Sequence, residues 1–186
     1  LHEGALIGLL TKPIFRKPII FDAQGSLTGE LVSNQTINRN TIIYKILFQI
    51  EKFIANQVNS IVTSTQSLKD FIKKKFKPKS KVKVIEDLPN KKLFNTKVKP
   101  AKVDLPRDKK IVVYLGGLQP NKGIDYLLEA IPLTDKSFHF LIMGYPVKRA
   151  KKIAEKLKII DRVTFTGKIP YEKAPSYLKL GDIAVS

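Results

Sequence analysis

Hydrophobic and polar residues alternate in a way that predicts strands and helices following one another along the whole chain. Short apolar runs typical of buried strands recur at 18–22, 60–63, 82–85, 111–115, 138–143, 163–166 and 183–185. Helical periods or helix-forming stretches fall at 1–10, 41–59, 66–76, 124–131, 147–157 and 172–180, the first of them predicted to be short and buried. Glycine-containing loops are expected at 23–29 and 116–123. Such alternation favours parallel α/β layers built from right-handed βαβ units.

The pattern is interrupted once, where residues 91–110 lose any sustained apolar period and carry prolines and alternating lysines. We therefore predict an N-terminal Rossmann-like domain over 1–96, a basic linker over 97–109 and a C-terminal Rossmann-like domain over 110–186. Each piece is shorter than a complete domain of this type. The chain opens without Met and closes on an apolar stretch, so we expect a fragment that is cut at both ends and inactive by itself.

Composition excludes several classes of protein. The 186 residues are 43% hydrophobic, which is too apolar for a disordered chain. Cysteine is absent, which excludes disulfide frameworks, thiolate zinc sites and cysteine nucleophiles. Only two histidines occur, which argues against a metal cluster built from histidines. Because no apolar run is long enough to span a bilayer and no signal peptide is visible, we expect a cytoplasmic protein that is soluble or peripheral.

The net charge of +18 is concentrated in one part of the chain. Residues 69–110 hold sixteen Lys or Arg against five Asp or Glu, and the densest stretch runs from Lys73 to Lys83 with phenylalanines between the lysines. This stretch suits either a solvated surface or attraction to a polyanion, such as an anionic membrane or nucleic acid. Because no recognition helix or zinc finger accompanies it, we favour a membrane surface as partner over nucleic acid.

The most informative stretch is 112–131, a strand followed by a glycine turn, a lysine and a helix. Gly116 and Gly117 allow an anion to approach the backbone, and Lys122 adds a positive charge at the mouth of the loop. The alternative is a tight turn with a surface lysine. The spacing matches neither the Walker A loop nor the Rossmann G-x-G-x-x-G motif.

The same stretch resembles the donor-binding loop of the glycosyltransferase group 1 family (glycosyltransferase family 4, with the GT-B architecture). The likeness rests on the order G-x-L-x-x-x-K-G at 116–123, and it continues through 140–144, 160–169 and 177–186. Upstream, segments at 2–4, 18–25, 51–64 and 84–94 follow the order of the acceptor half. The resemblance therefore spans nearly the whole chain in collinear order.

The resemblance implies a retaining hexosyltransferase that moves a sugar from a nucleotide-sugar donor bound between two domains, without a metal or other cofactor. By position, Lys122 neutralises the departing diphosphate while Gly116 and Gly117 let the loop close on it. Gly144 lines the cleft at the next strand end. Gly167, Lys168 and Ile169 lie near the nucleotide base.

On the acceptor side, the resemblance places His2, Glu3, Asp22 and Gly25 at the cleft, and no catalytic residue is identified beyond the positions of Asp22 and Gln24. The family usually has Arg where this chain has Gly117, and it often has His where Gln24 stands. These departures leave open a non-catalytic anion-binding or nucleotide-binding module of GT-B type. The expected acceptor is lipid-linked or a polysaccharide, as in polysaccharide or glycolipid biosynthesis at the cytoplasmic face of a membrane.

Overall fold

A computed structural model describes residues 2–186 of the chain. The backbone divides between Leu88 and Pro89 into two compact units. Each unit has a parallel sheet of its own with helices packed against it, which confirms the predicted α/β class.

The first unit has a three-stranded sheet in the order β1-β2-β3, with all strands parallel. Its strands are β1 (Ile20–Ala23), β2 (Ser60–Thr63) and β3 (Lys81–Val84). Its helices are α1 (His2–Phe15), α2 (Leu27–Ser33), α3 (Ile42–Gln57) and α4 (Gln66–Phe76).

Side chains cap three of these helices at their N-termini. The hydroxyls of Ser26, Thr41 and Thr65 each accept a hydrogen bond from a backbone N–H in the first turn of α2, α3 and α4 respectively. Such caps satisfy donors that a helix start leaves without partners. Ile54 of α3 and Ile61 of β2 are fully buried at the centre of the core.

The second unit has a four-stranded parallel sheet in the order β6-β5-β4-β7. Its strands are β4 (Lys110–Leu115), β5 (Phe138–Met143), β6 (Val163–Gly167) and β7 (Ile183–Val185). Its helices are α5 (Ile124–Ala130), α6 (Val147–Lys156) and α7 (Ala174–Leu178). The central strands β4 and β5 are apolar over 111–115 and 140–143, because both of their faces are covered.

The segment 97–109, predicted as a linker, lies within the second unit. Val103 and Leu105 pack beside Ile111 and Val113 of β4. Two apolar side chains spaced two residues apart thus cover part of one sheet face, although the segment has no regular structure.

Several predicted elements need correction. Helix α1 continues to Phe15, because Pro13 falls in its last turn and removes a single backbone hydrogen bond. The prediction that this helix is buried is wrong, since Ala5 is its one fully buried residue. The loop predicted at 23–29 ends early, because Ser26 caps α2 and Gly29 lies inside that helix. The last predicted helix is shorter, with a 3₁₀ turn at Tyr171–Lys173 before α7.

Candidate functional site

The carboxyl ends of β4, β5 and β6 bring three of the predicted donor-binding glycines into line. The Gly116 N–H donates to the Met143 carbonyl at 3.0 Å, and the Gly144 N–H donates to the Gly167 carbonyl at 3.0 Å. In addition, the Leu118 N–H donates to the Tyr145 carbonyl at 3.1 Å. The loops after three neighbouring strands are therefore joined side by side at the sheet edge where α/β proteins bind ligands.

Gly144 is the position in this row where a side chain fits least. Its φ is +158°, and a Cβ placed there would lie 1.8 Å from the Gly116 carbonyl oxygen. Only glycine allows the two loops to pass at this distance. The close approach of the loops after β4 and β5 thus depends on this one residue.

The loop after β4 is held by its own side chains. The Tyr114 hydroxyl donates to the Gly117 carbonyl at 2.8 Å. Burial raises the pKa of Tyr114, so the phenol stays protonated and remains a donor at neutral pH. The Gln119 side chain lies over Gly117, since a Cβ at Gly117 would stand 2.1 Å from the Gln119 Oε1.

Lys122 ends a 3₁₀ turn, Pro120–Lys122, and its side chain begins next to Gly117. Lys122 is exposed, and together with Tyr114, Tyr126 and Ser186 it lines a cavity of about 310 Å³. Gly123 follows with φ +74°, a left-handed conformation that turns the chain into α5. The predicted lysine therefore stands beside the glycine loop, over a concave surface and in contact with solvent.

The two remaining donor-side residues lie after β6. Lys168 is exposed, whereas Ile169 packs with the apolar layer formed by Ile111, Val113 and Leu141. Ile169 thus helps to hold the sheet, in addition to standing next to Gly167 in the chain.

In the first unit, four of the predicted acceptor-side residues line one cavity of about 290 Å³. They are His2, Glu3, Gln24 and Gly25, joined by Leu27 and Glu30. Asp22 does not line this cavity; its carboxylate accepts a hydrogen bond of 2.6 Å from the Gln24 side-chain amide. The end of β1 and the start of α1 therefore form a shared polar surface.

Glu51 holds this surface together, a role that we did not predict from the sequence. It is 1% exposed, and its carboxylate accepts hydrogen bonds from the Leu27 N–H at 2.7 Å, from the Thr28 N–H at 3.2 Å and from the Thr28 hydroxyl. The His2 Nε2 lies 3.3 Å from the Glu51 Oε1.

Burial by itself would raise the pKa of Glu51, but the hydrogen bonds from His2, Thr28 and Leu27 outweigh burial and hold the pKa below its ordinary value. The carboxylate is therefore ionised at neutral pH at the N-terminus of α2, where a negative charge is favourable. Its sequence signal is a single acidic residue on the buried stripe of α3, between Leu47 and Ile54.

Within residues 2–186 no group of three or more His, Cys, Asp or Glu side chains is arranged to hold a metal ion. Across the same residues no helix is both long and apolar enough to cross a membrane.

The seven lysines from Lys73 to Lys83 are all exposed, and none of them forms an ion pair with another described residue. The aromatic residues near them point inward instead. Phe76 is 4% exposed and packs against Phe48 and Phe71 at ring-centroid distances of 5.3 and 5.6 Å. This surface is therefore basic without exposed aromatic rings for stacking on bases.

Residues 95–186, just under half of the chain, match the family described as glycosyl transferases group 1. A segment of 83 residues is 32% identical to the alpha-D-kanosaminyltransferase of Streptomyces kanamyceticus, covering 42% of this chain and 22% of that protein. A match of 82 residues is 35% identical to the phosphatidylinositol N-acetylglucosaminyltransferase GPI3 subunit of Saccharomyces cerevisiae, and it covers 41% of this chain and 18% of that protein.

Among solved structures, HepE of Anabaena in complex with UDP and glucose matches 99% of this chain and 50% of its own, with a TM-score of 0.76 and 15% identity. A sucrose-phosphate synthase of Thermosynechococcus elongatus matches 98% of this chain and 47% of its own, with a TM-score of 0.77 and 18% identity. The chain thus spans about half the length of these structures. They show the fold, which is the GT-B class with two Rossmann-like parallel-sheet units.

Proposed function

We propose that the protein is a retaining hexosyltransferase that takes a sugar from a nucleotide-diphosphate donor. The observation that carries this proposal is the row of Gly116, Gly144 and Gly167 at one sheet edge, with Lys122 beside it. This row lies in the segment that matches the glycosyl transferases group 1 family. HepE, a structural neighbour, was solved with UDP, which supports a nucleotide-sugar donor here.

The chemistry of the leaving group explains why these residues suit the reaction. A departing nucleoside diphosphate gains negative charge as the glycosidic bond breaks, and a fixed cation stabilises that charge most in the transition state. Lys122 supplies the cation, and the glycine loops let phosphate oxygens approach the backbone. We assign no metal or other cofactor to this role, and the donor is a substrate.

For the acceptor we propose a lipid-linked saccharide or a polysaccharide, met at the cytoplasmic face of a membrane. Support comes from the exposed lysines between Lys73 and Lys83, which would be attracted to anionic headgroups. The name of the yeast relative refers to a phosphatidylinositol substrate, which supports the lipid-linked alternative. Polar side chains of the cavity at His2, Glu3, Gln24 and Gly25 would then bind acceptor hydroxyls.

The proposal is tested by slow hydrolysis of UDP-glucose by the complete gene product, since water can replace an unidentified acceptor. Early proton NMR spectra distinguish α-glucose from β-glucose before mutarotation mixes them. Because UDP-glucose carries an α-linked sugar, α-glucose released first indicates retention. Release of β-glucose first would contradict the retaining mechanism, and a lack of hydrolysis with every common nucleotide sugar would contradict donor use.

One observation favours a second candidate, a non-catalytic module that binds nucleotides or other anions. Gly117 stands where relatives of this family usually carry Arg, and Gln119 already occupies the space into which a side chain at Gly117 would extend. A second diphosphate-binding cation is therefore missing from this loop. Binding of UDP without any hydrolysis or transfer by the complete gene product would favour this alternative.

A further inference from the structure

An ion pair joins the starts of two helices of the second unit. Arg149, in the first turn of α6, donates to both carboxylate oxygens of Asp125, in the first turn of α5, and its Nη1 lies 2.7 Å from the Asp125 Oδ1. Helix α5 follows the loop after β4, and α6 follows the loop after β5. The ion pair therefore lies at the same end of the sheet as the glycine row.

This carboxylate has a fixed countercharge of its own. The chain has 34 Lys and Arg against 16 Asp and Glu. Among residues 2–186, however, the Arg149–Asp125 pair is the one contact of a Lys or Arg with an acidic side chain that joins two helices. A bidentate pair of Arg with a carboxylate is stronger and more precisely oriented than a pair with Lys. The positive charge at Asp125 is thus held in place.

Asp125 is also close to Lys122. Three peptide units separate the two residues, so their Cα atoms are at most about 11 Å apart. A helical hydrogen bond runs from the Leu127 N–H to the carbonyl of Gly123, which directly follows Lys122, and Tyr126 and Leu127 line the same cavity as Lys122. Because this separation is about one Debye length at 0.1 M salt, an unpaired carboxylate at Asp125 would repel an anion bound at Lys122.

We propose that Arg149 raises the affinity of the donor site by cancelling the negative charge of Asp125. An acidic side chain in the first turn stabilises a helix, which accounts for Asp125 at the start of α5. Arg149 keeps that charge from opposing the attraction between Lys122 and a diphosphate. Arg149 is a positioning residue, since it acts through Asp125. This inference rests on the proposed function, because it takes the ligand to be the diphosphate of a nucleotide-sugar donor.

The test is calorimetric titration of UDP into the chain and into variants of the pair, whose affinities should follow the net charge that each leaves. Arg149→Gln leaves the carboxylate alone and should weaken UDP binding about fivefold. Asp125→Asn leaves the guanidinium alone and should strengthen UDP binding by up to about fivefold. The double variant leaves no charge and should bind UDP within about twofold of the unaltered chain. The differences should shrink as salt is added.

The matched control is Lys156→Gln, which removes one positive charge from the last turn of the same helix. Lys156 lies about 10 Å further along the helix axis than Arg149, so this change should alter UDP affinity by less than about twofold. Far-UV circular dichroism should show that each variant is folded.

A pair that serves only to hold the helices together predicts a different result, because Asp125→Asn breaks the same hydrogen bonds as Arg149→Gln. Weaker UDP binding by Asp125→Asn would therefore overturn the proposal. So would a double variant that binds UDP as weakly as Arg149→Gln, since Arg149 would then act on the ligand without Asp125. Either result in a chain that binds UDP leaves the proposed function intact, whereas an unaltered chain that does not bind UDP would contradict both.

Discussion

Replacement of Gly144 by Ala tests the packing of the glycine row most severely. The added Cβ would lie 1.8 Å from the Gly116 carbonyl oxygen and 3.3 Å from the Leu118 Cδ2. Because the first of these atoms belongs to the backbone of a loop fixed by two hydrogen bonds, relief requires that the loops after β4 and β5 separate. Overpacking of this kind destabilises by about 1–3 kcal/mol, and the glycine-only φ adds about 1–3 kcal/mol. We expect a total loss of about 2–6 kcal/mol.

Gly123→Ala separates these two contributions. Gly123 also has a positive φ, +74°, but a Cβ there meets no atom within 4 Å. Its replacement should therefore cost only the conformational part, about 1–2 kcal/mol. The difference between the two variants measures the clash with Gly116.

Urea unfolding followed by tyrosine fluorescence suits this comparison, because five of the six tyrosines lie in the second unit. The midpoint for Gly144→Ala should fall clearly below that for Gly123→Ala. If Gly144→Ala proved no less stable than Gly123→Ala, the contact between the loops after β4 and β5 would be refuted.

Two further variants test individual hydrogen bonds. Tyr114→Phe removes the hydrogen bond to the Gly117 carbonyl. We expect a loss of about 1 kcal/mol in stability and faster amide hydrogen exchange in the loop after β4. Unchanged exchange would contradict this hydrogen bond. Glu51→Gln should destabilise the first unit by about 1–3 kcal/mol at neutral pH, because the Leu27 and Thr28 donors lose a charged acceptor. The pKa of Glu51 is lowered in the folded chain. The contribution of its carboxylate to the free energy of unfolding is therefore complete above the ordinary pKa of 4.5, and it is lost as the pH falls through the pKa of the folded state. The difference in free energy of unfolding between the wild type and Glu51→Gln, measured in urea titrations, should therefore narrow below pH 4.5. A difference that stays constant with pH would argue against an ionised Glu51.

Much of the fold follows from local patterns. The strands at 60–63, 138–143 and 183–185 were predicted with the bounds that the structure shows, because each is an apolar run between turn or loop residues. Thr65 directly precedes the helical stretch predicted at 66–76, and its hydroxyl accepts a hydrogen bond from the Leu68 N–H. His139 lies within the strand predicted at 138–143; it is buried and its Nε2 lies 2.8 Å from the Thr164 hydroxyl.

The rest depends on contacts between distant parts of the chain. Glu51 contacts Leu27, Thr28 and His2, which are more than twenty residues away in the sequence. The sequence around Glu51 therefore shows only an acidic residue on the buried stripe of a helix, without indicating its partners. The requirement for Gly144 arises from the backbone of Gly116, which belongs to another strand.

The exposure of part of α3 was also not apparent from its sequence. Ile43 and Ile46 belong to the same helical period as Ile54, yet they are 55% and 53% exposed whereas Ile54 is fully buried. Val103 and Leu105 are too few to show a period, although they cover part of the second sheet.

Calorimetric titration of UDP into the chain tests the donor site most directly, with Lys122→Ala compared against Lys136→Ala. Because a net charge of +18 attracts any polyanion, the control must remove one equal charge elsewhere. Lys136 serves this purpose, since it is exposed and precedes β5 at the opposite edge of the sheet from Lys122. We predict that UDP binding falls about tenfold or more with Lys122→Ala, as expected for one charge-assisted phosphate contact, and stays nearly unchanged with Lys136→Ala. Equal affinities for the two variants would contradict a donor diphosphate site at Lys122.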